Sequence, residues 1–200
     1  MLVRDHMSRR VVTIAANRSI RDATHLLLRH RIRQLPVLRD GKLVGIVTHR
    51  DLRSARSQTR AVATVMTAKP FTIGPEVAVD EAARLLRRYK IGGLPVVEET
   101  ELIGIITVAD VLDALVVLSG VAEPSFRLLI SGTAAAGADT HVRRAVTRAG
   151  GTVTWLHRTP RKRPLEVHLR VKVKRVDDVI AALEASGFEV LRAIAAARAT

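Results

Sequence analysis

No cysteine occurs in the chain, which excludes a disulfide framework, a thiolate zinc site and a cysteine nucleophile. Aromatic residues are nearly missing, with one Trp, one Tyr and three Phe among 200 residues, too few for a platform on which nucleic-acid bases could stack. No apolar run approaches the ~20 residues that a membrane helix needs; the longest, residues 111–122, is interrupted by Asp113, Ser119 and Gly120. The start, Met1-Leu2-Val3-Arg4-Asp5-His6, lacks the apolar core of a signal peptide. A soluble cytoplasmic protein is the expectation. A phosphate-binding P-loop, a helical pair of histidines at metal-ligand spacing and a catalytic constellation are also missing, so no enzyme activity, metal site or required cofactor is expected.

Negative charge is scarce too: 19 Asp and Glu face 33 Lys and Arg, for a net charge of +14. Such a balance suggests a polyanionic partner. Only six of the cations are lysines, however, and the arginines are scattered instead of forming one stripe. A basic nucleic-acid-associated regulator is therefore the alternative reading, not the leading one.

What the chain does have is a duplication. Met7 and Met66 lie 59 residues apart, and the same offset carries Thr13 to Thr72, Ile32 to Ile91, Leu35-Pro36 to Leu94-Pro95, Gly45 to Gly104 and Asp51 to Asp110, without a gap. Two copies at so long a period indicate a doubled small domain, not an open-ended array. Within the first copy the pattern reads strand (Val11–Ile14), helix (Ser19 as N-cap, through His30), then a hairpin turning at Asp40-Gly41, then a short helix from Thr48. The second copy repeats this order, with Glu98-Glu99-Thr100-Glu101 in place of the Asp-Gly turn. Its last helix, Val108 to about Leu118, is markedly apolar and calls for a partner surface.

Each copy ends in a strand, Gly45-Ile46-Val47-Thr48 or Gly104-Ile105-Ile106-Thr107, that runs into a helix with an Asp three residues on. Two readings of this Thr-x-x-Asp corner stand side by side. In one, helix-terminal amides favour a phosphate while the carboxylate accepts from a ribose diol. In the other, Thr and Asp form a capping box.

The combination of Met-x(5)-Thr, a helix, Ile-x-x-Leu-Pro-Val and Gly-Ile-Val/Ile-Thr-x-x-Asp, present twice, resembles the CBS (cystathionine β-synthase) domain, and the pair resembles a Bateman module over residues 1 to about 118. The resemblance implies domains at 1–60 and 61–120 in a pseudo-twofold arrangement whose sheets face each other across two clefts. It also implies adenosine nucleotides (AMP, ADP, ATP or a related adenosyl ligand) as regulatory ligands. Carried over position by position, it assigns the ribose to Asp51 and Asp110, ribose or phosphate to Thr48 and Thr107, and the adenine and phosphate region to Ile32, Arg33 and Gln34 in one copy and Ile91, Gly92 and Gly93 in the other. The first copy adds Arg50, and His49 is either a phosphate contact or an exposed helix start. The second offers Val108-Ala109 and two glycines, which a tight turn before Leu94-Pro95 would also explain. Homodimers are the family's habit, with a regulated protein of unknown identity as the further partner.

The last third, after a linker through Ser119–Pro124, reads βαββαβ from Phe126 to Leu191, the split ferredoxin-like pattern, over a domain at 125–195. Following a CBS pair it resembles an ACT domain, and the whole is similar to bacterial acetoin-utilisation accessory proteins. The loop from Ser131 to Ala138 has glycines but lacks the proline of the family's ligand turn, so a dimerisation role competes with amino-acid binding. The basic tip Arg158–Arg163 is read as solvated, with phosphate contact as its alternative. The fold class expected is α+β: two tandem CBS domains and a ferredoxin-like, ACT-like domain, forming together a non-catalytic regulatory sensor, with a structural dimerisation module whose clefts are vestigial as a further alternative.

Overall fold

The structure is a computed structural model that describes residues 1–55, 57–119, 125–132, 137–159 and 164–195. The chain divides into two compact units, Met1–Ala114 and Leu115–Thr200, each α+β. Among the described residues no helix is long and apolar enough to cross a membrane.

In the first unit the long helix and the hairpin of the two copies match to the residue at the 59-residue offset. A short helix α1 (Val3–His6) precedes strand β1 (Ile14–Ala15), helix α2 (Ile20–His30), strands β2 (Gln34–Arg39) and β3 (Lys42–Thr48) and helix α3 (His49–Arg53). A 3-10 turn (Val62–Thr64) and strand β4 (Thr67–Ala68) lead to α4 (Val79–Tyr89), β5 (Gly93–Glu98), β6 (Glu101–Thr107) and α5 (Val108–Ser119). Helix α2 starts where Ser19 accepts from the Asp22 amide (3.1 Å) and Asp22 accepts from the Ser19 amide (3.3 Å), a reciprocal cap. It buries Ile20, Ala23 and Leu27 and ends at Arg31, whose left-handed backbone (φ 52°) recurs at Lys90 (φ 53°) after α4. The hairpin turn is as expected: Asp40 and Gly41 both have positive φ, the geometry that matches a two-residue turn to the twist of its strands. The expected strand over 11–14 contracts to Ile14–Ala15, which pairs in parallel with Val37 and Leu38.

The opening segment of each copy packs across the repeat. Val3 and Met7 pack with Ile73, Val79, Leu86, Leu94 and Ile106 of the second copy, while Val62, the counterpart of Val3, packs with Ile20, Leu27, Leu35 and Val47 of the first. The sheets record the same exchange. Strand β4 of the second copy lies beside β3 of the first in a sheet ordered β1-β2-β3-β4, and Ser8 of the first copy bridges Ile105 on β6 of the second. Each copy opens with a segment that completes the other's core. Met66 lies over Gly45 and Met7 over Gly104, so that a side chain at either glycine would overlap a methionine thioether. The Met and Gly of the repeat are thus one packing contact made across copies.

The second unit runs β7 (Phe126–Gly132), α6 (Ala138–Arg148), β8 (Thr152–Arg158), β9 (Leu165–Lys172), α7 (Val176–Ala185) and β10 (Glu189–Ala195). Its sheet has the order β10-β7-β9-β8, antiparallel throughout. Alternate residues Leu128, Ile130, Val167, Leu169 and Val171 meet Val142, Val146, Val179 and Leu183 of the helices in one core. The chain turns out of α7 at Gly187, where φ is +85°, and Phe188, expected within the last strand, instead closes the core against Gly132. Arg170 is buried, with Nη1 donating to Ser125 Oγ at 3.1 Å; desolvation, then the nearby Arg127, lowers its pKa. Most of the linker 119–124 and of the basic tip 158–163, and half of the loop at 131–138, lie outside the described residues.

Candidate functional site

Strand pairing brings the predicted residues together at the centre of the first unit. Gln34 is the register partner of Thr48, and Gly93 that of Thr107. The backbone closes each corner identically: the His49 amide donates to the Arg33 carbonyl (3.1 Å), and the Val108 amide donates to the Gly92 carbonyl (3.2 Å). Gln34 then reaches from the first copy onto Gly93 of the second, where its amide occupies the space a side chain would need. Positions 34 and 93 are related by the 59-residue offset, and each pairs with the Thr of its own copy's Thr-x-x-Asp corner.

At each corner the capping box is formed. The Thr48 amide and hydroxyl donate to Asp51 Oδ2 at 2.8 and 2.7 Å, and the Asp51 amide donates to Thr48 Oγ1 at 3.4 Å. Thr107 and Asp110 repeat this with 2.7, 2.7 and 3.4 Å. The two readings of the motif therefore do not exclude each other. The cap takes one carboxylate oxygen and in doing so fixes the orientation of the other, Oδ1, in a half-buried position. The helix dipole is a weaker contributor than the sequence suggests at the first corner, because α3 has only five residues, whereas α5 has twelve.

The remaining candidates fall into three groups. Ile32 and Ile91 are half-buried against the two cores. Arg33, His49 and Arg50 are exposed, and among the described residues neither Arg33 nor Arg50 is in an ion pair; their second-copy counterparts Gly92, Val108 and Ala109 are exposed and uncharged. Gln34 and Gly93 are buried. The alternative that the second-copy glycines serve a tight turn does not hold at Gly93. It lies in β5 with no positive φ, and its missing side chain is explained by Gln34. Sequence reasoning overlooked this because the two positions are far apart in the chain; the signal was that the offset places a large amide opposite a glycine.

Neither of the two cavities that stand out among the described residues includes these corners. One, about 280 Å³, lies between β1 and α2, lined among others by Thr13, Arg18, Asp22 and His25. There the Ser19 hydroxyl, the Ser19 amide and then Arg18 hold the Asp22 carboxyl below its ordinary value. The other, about 200 Å³, is in the second unit beside His141, Arg144, Arg148 and Ser186. The corners form an open junction, and their chemistry rests on the paired strand ends. Among the described residues no group of three or more His, Cys, Asp or Glu could hold a metal ion.

Comparison with known proteins bears on the first unit. The chain is 45% identical over 104 residues to inosine-5'-monophosphate dehydrogenase of Korarchaeum cryptofilum, an alignment over 52% of this chain and 22% of that protein. The chain spans between about a fifth and a third of the curated dehydrogenases it matches. Among solved structures it is similar to the CBS domain pair of protein MJ0100 in complex with 5'-methylthioadenosine and S-adenosyl-L-methionine (34% identity, TM-score 0.54, 57% of this chain and 99% of that one). It is also similar to CBSX2 of Arabidopsis thaliana, solved in complex with AMP (31%, TM-score 0.55, 57% and 96%), and to a Vibrio cholerae chain named for acetoin utilization, AcuB (32%, TM-score 0.56, 59% and 92%). The CBS domain model matches residues 3–58 and 62–117, the same duplicated unit whose strand ends meet at Gln34 and Gly93. With more than half of its residues matched in this way, the chain belongs to the CBS-domain family.

Proposed function

We propose that this protein is a non-catalytic cytoplasmic sensor that binds adenosine ligands at the paired Thr-x-x-Asp corners. The observation that carries this reading is the exact duplication of a preorganised carboxylate, Asp51 and Asp110, in a family whose solved members include complexes with AMP and with methylthioadenosine and S-adenosylmethionine. In this reading Oδ1 of each Asp accepts from the ribose hydroxyls, Ile32 and Ile91 flank the base, and Arg33 and Arg50 meet phosphate at the first corner only. Gln34, Gly92 and Gly93 form the floor between them.

The second unit, with its βαββαβ order and its sheet order β10-β7-β9-β8, is assigned to the ferredoxin-like, ACT-like class, and its role is to pass occupancy on to a regulated protein. A homodimer is part of the proposal. Helix α5 leaves Leu112, Leu115, Val116, Val117 and Leu118 exposed, with Leu115 at 57%, an apolar surface that a second copy would cover.

Thermal melting with AMP, ADP, ATP, S-adenosylmethionine and methylthioadenosine tests the reading. A ligand at ~100 times its dissociation constant stabilises the folded state by roughly 2.7 kcal/mol, which raises the melting temperature of a chain this long by about 5–10 °C. No shift with any of the five refutes it. The net charge of +14 and the row His141, Arg144 and Arg148 on α6 favour nucleic acid as the second reading. Binding that collapses between 50 and 200 mM salt supports that reading instead, since contacts to a phosphate backbone are lost steeply with salt.

A further inference from the structure

Gln34 is 9% exposed, and its Nε2 has no hydrogen-bond partner among the described residues. A buried amide donor without a partner is a costly arrangement, and this one stands where the two corners meet. Its register partner is Thr48, and its side chain lies on Gly93, the register partner of Thr107. The second copy supplies no equivalent, because its residue at this place is glycine. The junction thus holds two ribose-type corners but one amide. That amide is able to donate through its N–H or accept through its carbonyl when the side chain turns.

We propose that Gln34 is shared by the two corners and couples them: the ligand that binds first draws the amide out from Gly93 into its own corner, and the second ligand binds without it and more weakly. This rests on the adenosine-ligand reading above and adds its regulation. The coupling follows from the residues present. A ligand contact satisfies a donor that is otherwise unmet, and only one corner at a time can supply it. The loss of one such hydrogen bond weakens the second step about tenfold, equivalent to roughly 1.4 kcal/mol. The arginines of the first corner impose a separate inequality, but only on ligands that carry phosphate.

Calorimetry of the full chain with adenosine, which has no phosphate, isolates the Gln34 effect. Two steps about tenfold apart are expected in the unchanged protein, converging to within about twofold in Gln34→Ala and Gln34→Met. A single bound adenosine that becomes two in Gln34→Met is the limiting form of the same result. Gln34→Met keeps the volume and removes the unmet amide, so it should also raise the melting temperature of the ligand-free protein by ~3 °C. Two equal, independent sites in the unchanged protein, a ratio that persists in Gln34→Met, or a ligand-free melting temperature that falls would each overturn the coupling while leaving the nucleotide reading intact. If adenosine does not bind, the coupling fails; if none of the five ligands of the melting series binds either, the adenosine-ligand reading fails with it.

Discussion

The two halves of the first unit have the same backbone plan and different chemistry. At the 59-residue offset, Ser19 faces Ala78 at the start of the long helix, Arg33 faces Gly92, Gln34 faces Gly93, Arg50 faces Ala109, and the five-residue α3 faces the twelve-residue α5. Core positions do not diverge in this way: Val3 and Val62, Leu27 and Leu86, Leu35 and Leu94, and Val47 and Ile106 are buried pairs of the same character. Close packing punishes a change of a single methylene, so the cores keep their symmetry. Apart from the buried Gln34–Gly93 contact, where the two residues differ together, the divergent positions are exposed or half-buried, and there the copies were free to become different.

The comparison can be broken first where it is most symmetric. Val3 and Val62 are each fully buried in the other copy's core, so Val3→Ala and Val62→Ala should each cost about 2 kcal/mol. Urea denaturation checks this, and markedly unequal costs would show that the exchange of segments is lopsided. The next largest effects test the asymmetry of the corners. Asp51→Ala should remove most of the ATP affinity, about 30-fold, by discarding a charged acceptor, while Asp110→Ala should act mainly on AMP or adenosine; equal losses of ATP affinity in calorimetry would contradict an arginine-marked first corner. Arg33→Ala should weaken ATP about tenfold and leave adenosine unchanged.

Smaller effects sharpen the contrast between the helix starts. Ala78 gives α4 no side-chain cap, yet Glu81 stands three residues on, so Ala78→Ser should complete a reciprocal cap and stabilise by about 1 kcal/mol in thermal or chemical denaturation. The smallest effect is one of pH. Hydrogen bonds from Ser19 hold the Asp22 pKa below its ordinary 3.8, and Arg84 holds that of Glu81 below 4.5. Their stabilisation is complete above those ordinary values and is lost as pH falls through the lower folded ones. Asp22→Asn should flatten that part of the acid limb in a pH series of melts.

Much of this was legible in the chain. The duplication, the Asp40-Gly41 turn, the Ser19 cap and the capping-box reading of both Thr-x-x-Asp corners follow from local spacing, and the structure forms each of them. The exchange of opening segments was not, because periodicity reports where a unit repeats and not which core its first residues enter. Helix α1 was missed for a related reason: four residues are too few for a periodic signal, and the clue was Asp5, which accepts from the Leu2 amide at 3.1 Å. The cause of the glycine at 93 was not legible either, because Gln34, whose amide fills the space of a side chain there, lies 59 residues earlier.

The exchange of opening segments also governs how the chain becomes a protein. Val3 and Met7 leave the ribosome well before the residues they cover, which extend to Ala114; the first copy's core in turn waits for Val62. Neither copy is therefore complete when its own sequence has been made, and closing the second core requires a loop of about a hundred residues, the kind of distant contact that slows folding. During synthesis the nascent first copy holds an apolar segment with nowhere to go until the second has emerged, and the two mature together in one cooperative step.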